Sequence, residues 1–150
     1  MTAFEKLRAG WNLLNGSTLV GLGLAAAARC SLTRGPKGLI LAHGYRPRLP
    51  KASAFTMGNV VLLRRTAAGL ADNQMLLSHE SRHSTQYAFC LGLPFLPLYA
   101  CAALWSLWRT GDPASRNFFE RHAGLRTGGY VERTVRRGPA RRRDPAAPVL

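Results

Sequence analysis

Two histidines four residues apart, His79 and His83, stand in the stretch LLSHESRHSTQYA at residues 76–88, with Glu80 directly after the first. On a helix one turn separates them, so both imidazoles project from one face and can reach a single Zn²⁺ ion. Glu80 falls one residue off that line. From there its carboxylate reaches a water on the metal without being a ligand. Zinc lowers the pKa of such a water toward about 7, and Glu80 as catalytic base removes the proton as the hydroxide attacks a carbonyl. The plain alternative is a helix whose two histidines are capped or satisfied within the core. The chain has only four His and four Glu, which makes a chance H-E-x-x-H rare and favours the metal.

A catalytic zinc takes three protein ligands and keeps one position open. The downstream candidates are Asp112, Glu120 and His122. Asp112 precedes Pro113 and is explained as a helix N-cap followed by proline at N1. Glu120, in NFFERHAGL, has Phe118 and Phe119 beside it. A carboxylate set among aromatic residues needs a partner, and a cation in the core supplies one. The other reading of Glu120 is a capping box, with Asn117 as N-cap and Glu120 at N3. His122 lies two residues further on and points to a different face. Glu120 is preferred as the third ligand, and His122 is the alternative.

These segments resemble small bacterial zincin-like proteins of the gluzincin type. Such proteins pair a helical H-E-x-x-H-x-x-Q with a later helix of the form N-x-F-E-x-x-A. Here the first is His79 to Gln86 and the second Asn117 to Ala123, and AFTMGNVVLL upstream matches a strand before the motif helix. The resemblance spans roughly residues 38–125. It implies a metallopeptidase-like hydrolase with one zinc, held by His79, His83 and Glu120, with Glu80 as the base and a peptide or protein as substrate. Gln86 would bond the motif helix or a metal ligand. Ser81 and Arg82 depart from the usual motif, and Arg82 must point away from the cation to be tolerated. No residue stands out as a stabiliser of the oxyanion.

The elements that position this site read as an α+β fold. Phe4, Leu7, Trp11 and Leu14 recur at helical spacing, Asn15-Gly16-Ser17 interrupts them, and Leu19–Ala28 is apolar and small. Ten such residues are too few to cross a bilayer, so this is a buried core helix or a segment lying on a membrane. TRGPKG is a turn. Leu39–Ala42 and about Asn59–Arg64 read as strands that pair in a ribbon or small sheet, and HGYRPRLPKAS between them reads as a loop. Asp72 is the expected N-cap of a motif helix running to Phe89. Residues 87–108 form 22 residues without a charge, long enough for a span. Pro94 and Pro97 argue for a break, followed by an apolar helix from about Leu98 to Trp108 that packs as a core hairpin on the motif helix. A single zincin-like domain is expected over 1–132, its first 30 residues an apolar helical segment, with 133–150 a basic disordered tail.

Composition narrows the rest. Formal net charge is +14, and 18 of the 21 basic residues are Arg in a chain rich in Ala, Gly and Pro. That bias suggests GC-rich coding, which inflates Arg without any function, so the charge is weak evidence for nucleic acid. The tail from Arg133 holds six Arg, one Asp and no aromatic residue, so no stacking platform for single strands is indicated. Three cysteines, without a C-x-x-C pair, point to a reducing compartment, and early Glu5 makes a poor secretory signal. The expected location is cytoplasmic, or peripheral on an anionic membrane surface that would attract the basic tail. The alternative to a hydrolase is a non-catalytic zinc-binding or membrane-surface protein with a metal-stabilised fold.

Overall fold

The computed structural model describes residues 1–48, 52–64 and 73–135. The chain is α+β, with five α-helices and one four-stranded sheet among these residues. Helix α1, Ala3–Leu14, starts on a capping box in which Thr2 Oγ1 accepts from Glu5 N–H and Glu5 returns to the Thr2 N–H. Gly16, at φ +81°, turns the chain into α2, Ser17–Ala27, as the Asn-Gly-Ser break suggests. Strands β1 (Ser31–Arg34), β2 (Ile40–Tyr45), β3 (Ala54–Met57) and β4 (Val60–Arg64) precede the motif helix α3, Gln74–Phe89. Helices α4, Phe95–Thr110, and α5, Phe118–Ala123, follow.

The sheet order is β1-β2-β4-β3. The two strands legible in the sequence pair in parallel at its centre, Ile40 opposite Val60. Their flanks β1 and β3 are antiparallel edges of four residues each. Strand β4 is buried on both faces, which is why it reads as an unbroken apolar run. Val61 and Leu63 face Leu77 of α3, while Val60 and Leu62 face Ala25 of α2. The sheet therefore lies between α2 and α3, and the period of two along β4 feeds both layers.

The β3–β4 turn is welded to the helices. Asn59 Oδ1 accepts from Asn12 and Ser84, and its amide donates to the Ala9 carbonyl. Gly58 sits at φ +62°, and a Cβ there would come within 2.4 Å of Thr18 N and 2.6 Å of the Ser17 carbonyl carbon. Both obstacles are backbone. Gly58→Ala is therefore expected to destabilise the fold by roughly 2–4 kcal/mol, from left-handed strain plus overpacking. Chemical denaturation read by circular dichroism checks this, and a change below about 0.5 kcal/mol would contradict it.

Two expectations change here. Asp72 lies outside the described residues, and Asn73 caps α3 by accepting from the Leu76 N–H. The apolar run does break after Phe89, at Cys90–Pro94, but α4 begins at Phe95 and holds Pro97 in its first turn, where a missing N–H costs nothing. Its leucines and tryptophans are exposed rather than packed as a core. Among the described residues no helix is long and apolar enough to cross a membrane. Of the expected basic tail, residues 136–150 lie outside the described residues, and Arg133 N–H donates to Ser115 Oγ.

Candidate metal centre

The site is built where α3 meets α5. Helix α3 presents His79, Glu80 and His83 inward, all three less than a tenth exposed. Asn117 starts α5 by accepting from the Phe119 N–H, and Gly124 ends it. Glu120 occupies N3 of that helix. It does not fold back on the cap as in a capping box but reaches across to the two histidines. Its Oε2 lies 3.4 Å from His79 Nε2, its Oε1 lies 3.5 Å from His83 Nε2, and the two Nε2 atoms are 3.0 Å apart.

Each ring is oriented from behind. The Gly124 carbonyl is 3.0 Å from His79 Nδ1, and Gln86 Oε1 is 2.8 Å from His83 Nδ1. Both partners only accept, so each Nδ1 carries the proton and donates. In the neutral rings that leaves two Nε2 lone pairs facing each other, a disposition typical of metal-bound histidines. Gln86 also donates to the Phe119 carbonyl, which ties α3 to α5 at the level of the ligands.

Glu120 is 2 % exposed, and its Oε2 has no hydrogen-bond partner. A buried carboxylate oxygen left bare is costly unless a cation meets it. The three residues can each offer one ligand atom, all within 4.8 Å of one another, close enough to share one ion. The residues present fit a metal ion. His79, His83 and Glu120 form a buried group able to hold a metal ion.

A proton on an imidazole can meet the Glu120 carboxylate in the place of a cation. Burial alone would raise the Glu120 pKa, but the two imidazoles and the Tyr99 hydroxyl beside it hold it far below the usual carboxylate range. Burial opposes a charge on His83, yet the Glu120 carboxylate overrides it and raises the His83 pKa. Tyr99 Oη donates to Glu120 Oε1 at 2.5 Å, and burial with that carboxylate beside it pushes its own pKa upward.

Glu80 is placed differently from the three ligand candidates. Thr56 Oγ1, on edge strand β3, donates to Glu80 Oε2 at 2.6 Å. Glu80 shares with His79, His83 and Glu120 a cleft of about 360 Å³. Its walls are mostly apolar, from Ala54, Phe55 and Met57 of β3 to Leu96, Tyr99 and Tyr130.

The other sequence candidates stand outside the cluster. Asp112 closes a turn, with one oxygen accepting from Ala114 N–H, Ser115 N–H and Ser115 Oγ–H. His122 is exposed and stacks on Phe118 at 6.1 Å between ring centroids. Arg82 points away from the cation position and donates to the Ala123 carbonyl. Sequence reasoning did not find Thr56, Tyr99 or Tyr130. Their segments carry no local pattern that signals a site, and only the tertiary fold brings them to it. No family model, curated protein or solved structure matches the chain.

Proposed function

We propose that the protein is a zinc-dependent hydrolase of the zincin type, acting on a carbonyl of a peptide or protein. The observation that carries this reading is the buried Glu120 carboxylate, its Oε2 without a hydrogen-bond partner, beside the Nε2 atoms of His79 and His83, with Glu80 in the same cleft. Zinc, when bound, supplies an acidified water and polarises the carbonyl. The chain's own residues do the rest. His79, His83 and Glu120 hold the ion. Thr56 fixes the Glu80 carboxylate, which accepts the proton released as the nucleophile forms and can return it to the leaving amine. Edge strand β3 lines the cleft, where an extended chain can add as a further strand. The apolar walls favour apolar side chains beside the scissile bond and keep bulk water from it.

The first test is metal content. The wild-type protein is expected to carry about one zinc per chain, and His79→Ala and His83→Ala to lose it. Elemental analysis after dialysis measures this. Equal metal in all three proteins, or none in the wild type, would remove the basis of the reading. Any membrane association is taken as peripheral, and the surface for it is argued next.

A further inference from the structure

Two helices of this fold turn large apolar side chains outward. Helix α4 turns Phe95, Tyr99, Ser106 and Thr110 toward the protein; Ser106 donates to the Asp112 carbonyl and Thr110 to the Ser106 carbonyl. Outward it shows Leu98, Leu104, Trp105, Leu107 and Trp108, each 45–67 % exposed. Helix α1 buries Arg8 and Asn12 and exposes Phe4, Leu7, Trp11 and Leu14. Helix α2 exposes Leu19 and Val20 at its start, while Ala25, Leu22 and Leu24 further along pack on the sheet. A helix bounded by water does the opposite of α1 and α4, polar side out.

The exposed groups are also joined. Trp11 Nε1 donates to the Ala88 carbonyl, beside exposed Phe89. The turn after α3 rests on the end of α1, where a Cβ on Gly92 would meet the Asn15 side chain at 2.7 Å. Phe4, Leu7, Trp11 and Phe89 line one apolar hollow between α1 and the end of α3, and Leu91 and Leu93 are exposed in the turn that leads to α4. Exposed apolar side chains grouped in this way mark interaction sites on proteins.

We propose that this surface docks in the interfacial layer of an anionic lipid bilayer, with α4 lying in the membrane plane. The circumference of α4 favours lipid over a protein partner. Leu98 and Leu107 project from opposite sides of the helix, nine residues apart at about 100° each. A flat partner covers one and leaves the other wet, whereas acyl chains close around both. Length excludes a crossing: 16 residues span about 24 Å against a hydrocarbon core of about 30 Å. The Arg109 guanidinium lies 5.5 and 5.7 Å from the Trp105 and Trp108 rings, a pairing of cation and amphipathic ring suited to the headgroup level. Charge chooses the lipid. The chain carries +14, so a second copy on this face brings like charge, while anionic headgroups neutralise it. The docking needs no metal and stands or falls apart from the hydrolase reading.

The test uses the full chain with vesicles of phosphatidylcholine alone and of phosphatidylcholine with phosphatidylglycerol. Binding to the anionic vesicles is expected, and the Leu104→Ser/Trp105→Ser/Trp108→Ser variant should bind at least about tenfold more weakly, since each side chain loses its burial in lipid. Quenching of tryptophan fluorescence by lipids brominated along the acyl chain reads insertion in the wild type, without reliance on a variant. Strong quenching is the expected result. Absence of binding or of quenching overturns the proposal. So does equal binding by the variant, which would assign membrane attraction to the basic tail. A concentration-dependent dimer abolished by the same substitutions would give the surface to a second copy and overturn it too.

Discussion

Glu80→Gln is expected to keep about one zinc per chain and to lose hydrolysis by roughly a hundredfold to ten-thousandfold, the usual contribution of a positioned general base. The amide is nearly isosteric with the carboxylate, and its oxygen can still accept from Thr56 Oγ1, which holds Glu80 at 2.6 Å. The buried side chain, 3 % exposed, therefore stays in place. The ligand trio does not include it, so metal content is unaffected. What the amide cannot do is take up a proton at neutral pH. Metal analysis and turnover of a peptide library, run on the same preparations, measure the two properties together. Normal turnover by the variant would remove Glu80 from the base role. Zinc-loaded wild type that cleaves nothing in the library would instead favour a metal-stabilised module without catalysis.

The parts of this site that were legible in the sequence are those written in local chemistry. The H-E-x-x-H spacing places His79 and His83 on one face whatever the tertiary fold, because helical phase is a local property. Glu120 was readable because a carboxylate beside two phenylalanines needs compensation. Its helix was harder to bound. Asp112-Pro113 has the form of a helix start, yet it closes an isolated turn, and Asn117 caps the helix proper. Both cap signals are satisfied, and only packing decides that Glu120 turns to the histidines. The edge strands β1 and β3 are four residues long, and β1 is exposed along its whole length, so no alternation advertised it. Thr56, Tyr99 and the Gly124 carbonyl act through contacts at sequence separations of 21 to 45 residues. Such contacts have no period. Helix α4 misled for a physical reason: an apolar run signals removal from water, and does not say whether protein or lipid removes it.

The third ligand gives the second large effect. Glu120→Ala is expected to lower zinc affinity by more than about a hundredfold, since changes in the outer shell alone cost about 10- to 100-fold. Two neutral imidazoles would be left to hold a divalent cation in a pocket with apolar walls, with no anion among the ligands to offset it. Metal binding to the native state is linked to folding, so zinc at 100 times its Kd stabilises the wild type by about 2.7 kcal/mol. Glu120→Ala should show almost none of that gain. Its behaviour without zinc is a separate matter, because the substitution removes a bare buried oxygen as well as the partner of Tyr99. The comparison must therefore be of the zinc-dependent shift, not of melting temperature alone. His122→Ala is the matched control from the same helix. Its imidazole is exposed, stacks on Phe118, and touches the site only through a 3.3 Å approach of Nδ1 to Gln86 Nε2. Zinc affinity and the zinc-dependent rise in Tm should stay close to wild type in that variant. Calorimetric titration and thermal unfolding with and without zinc, on both variants side by side, decide the matter; the reverse ranking would transfer the third ligand to His122.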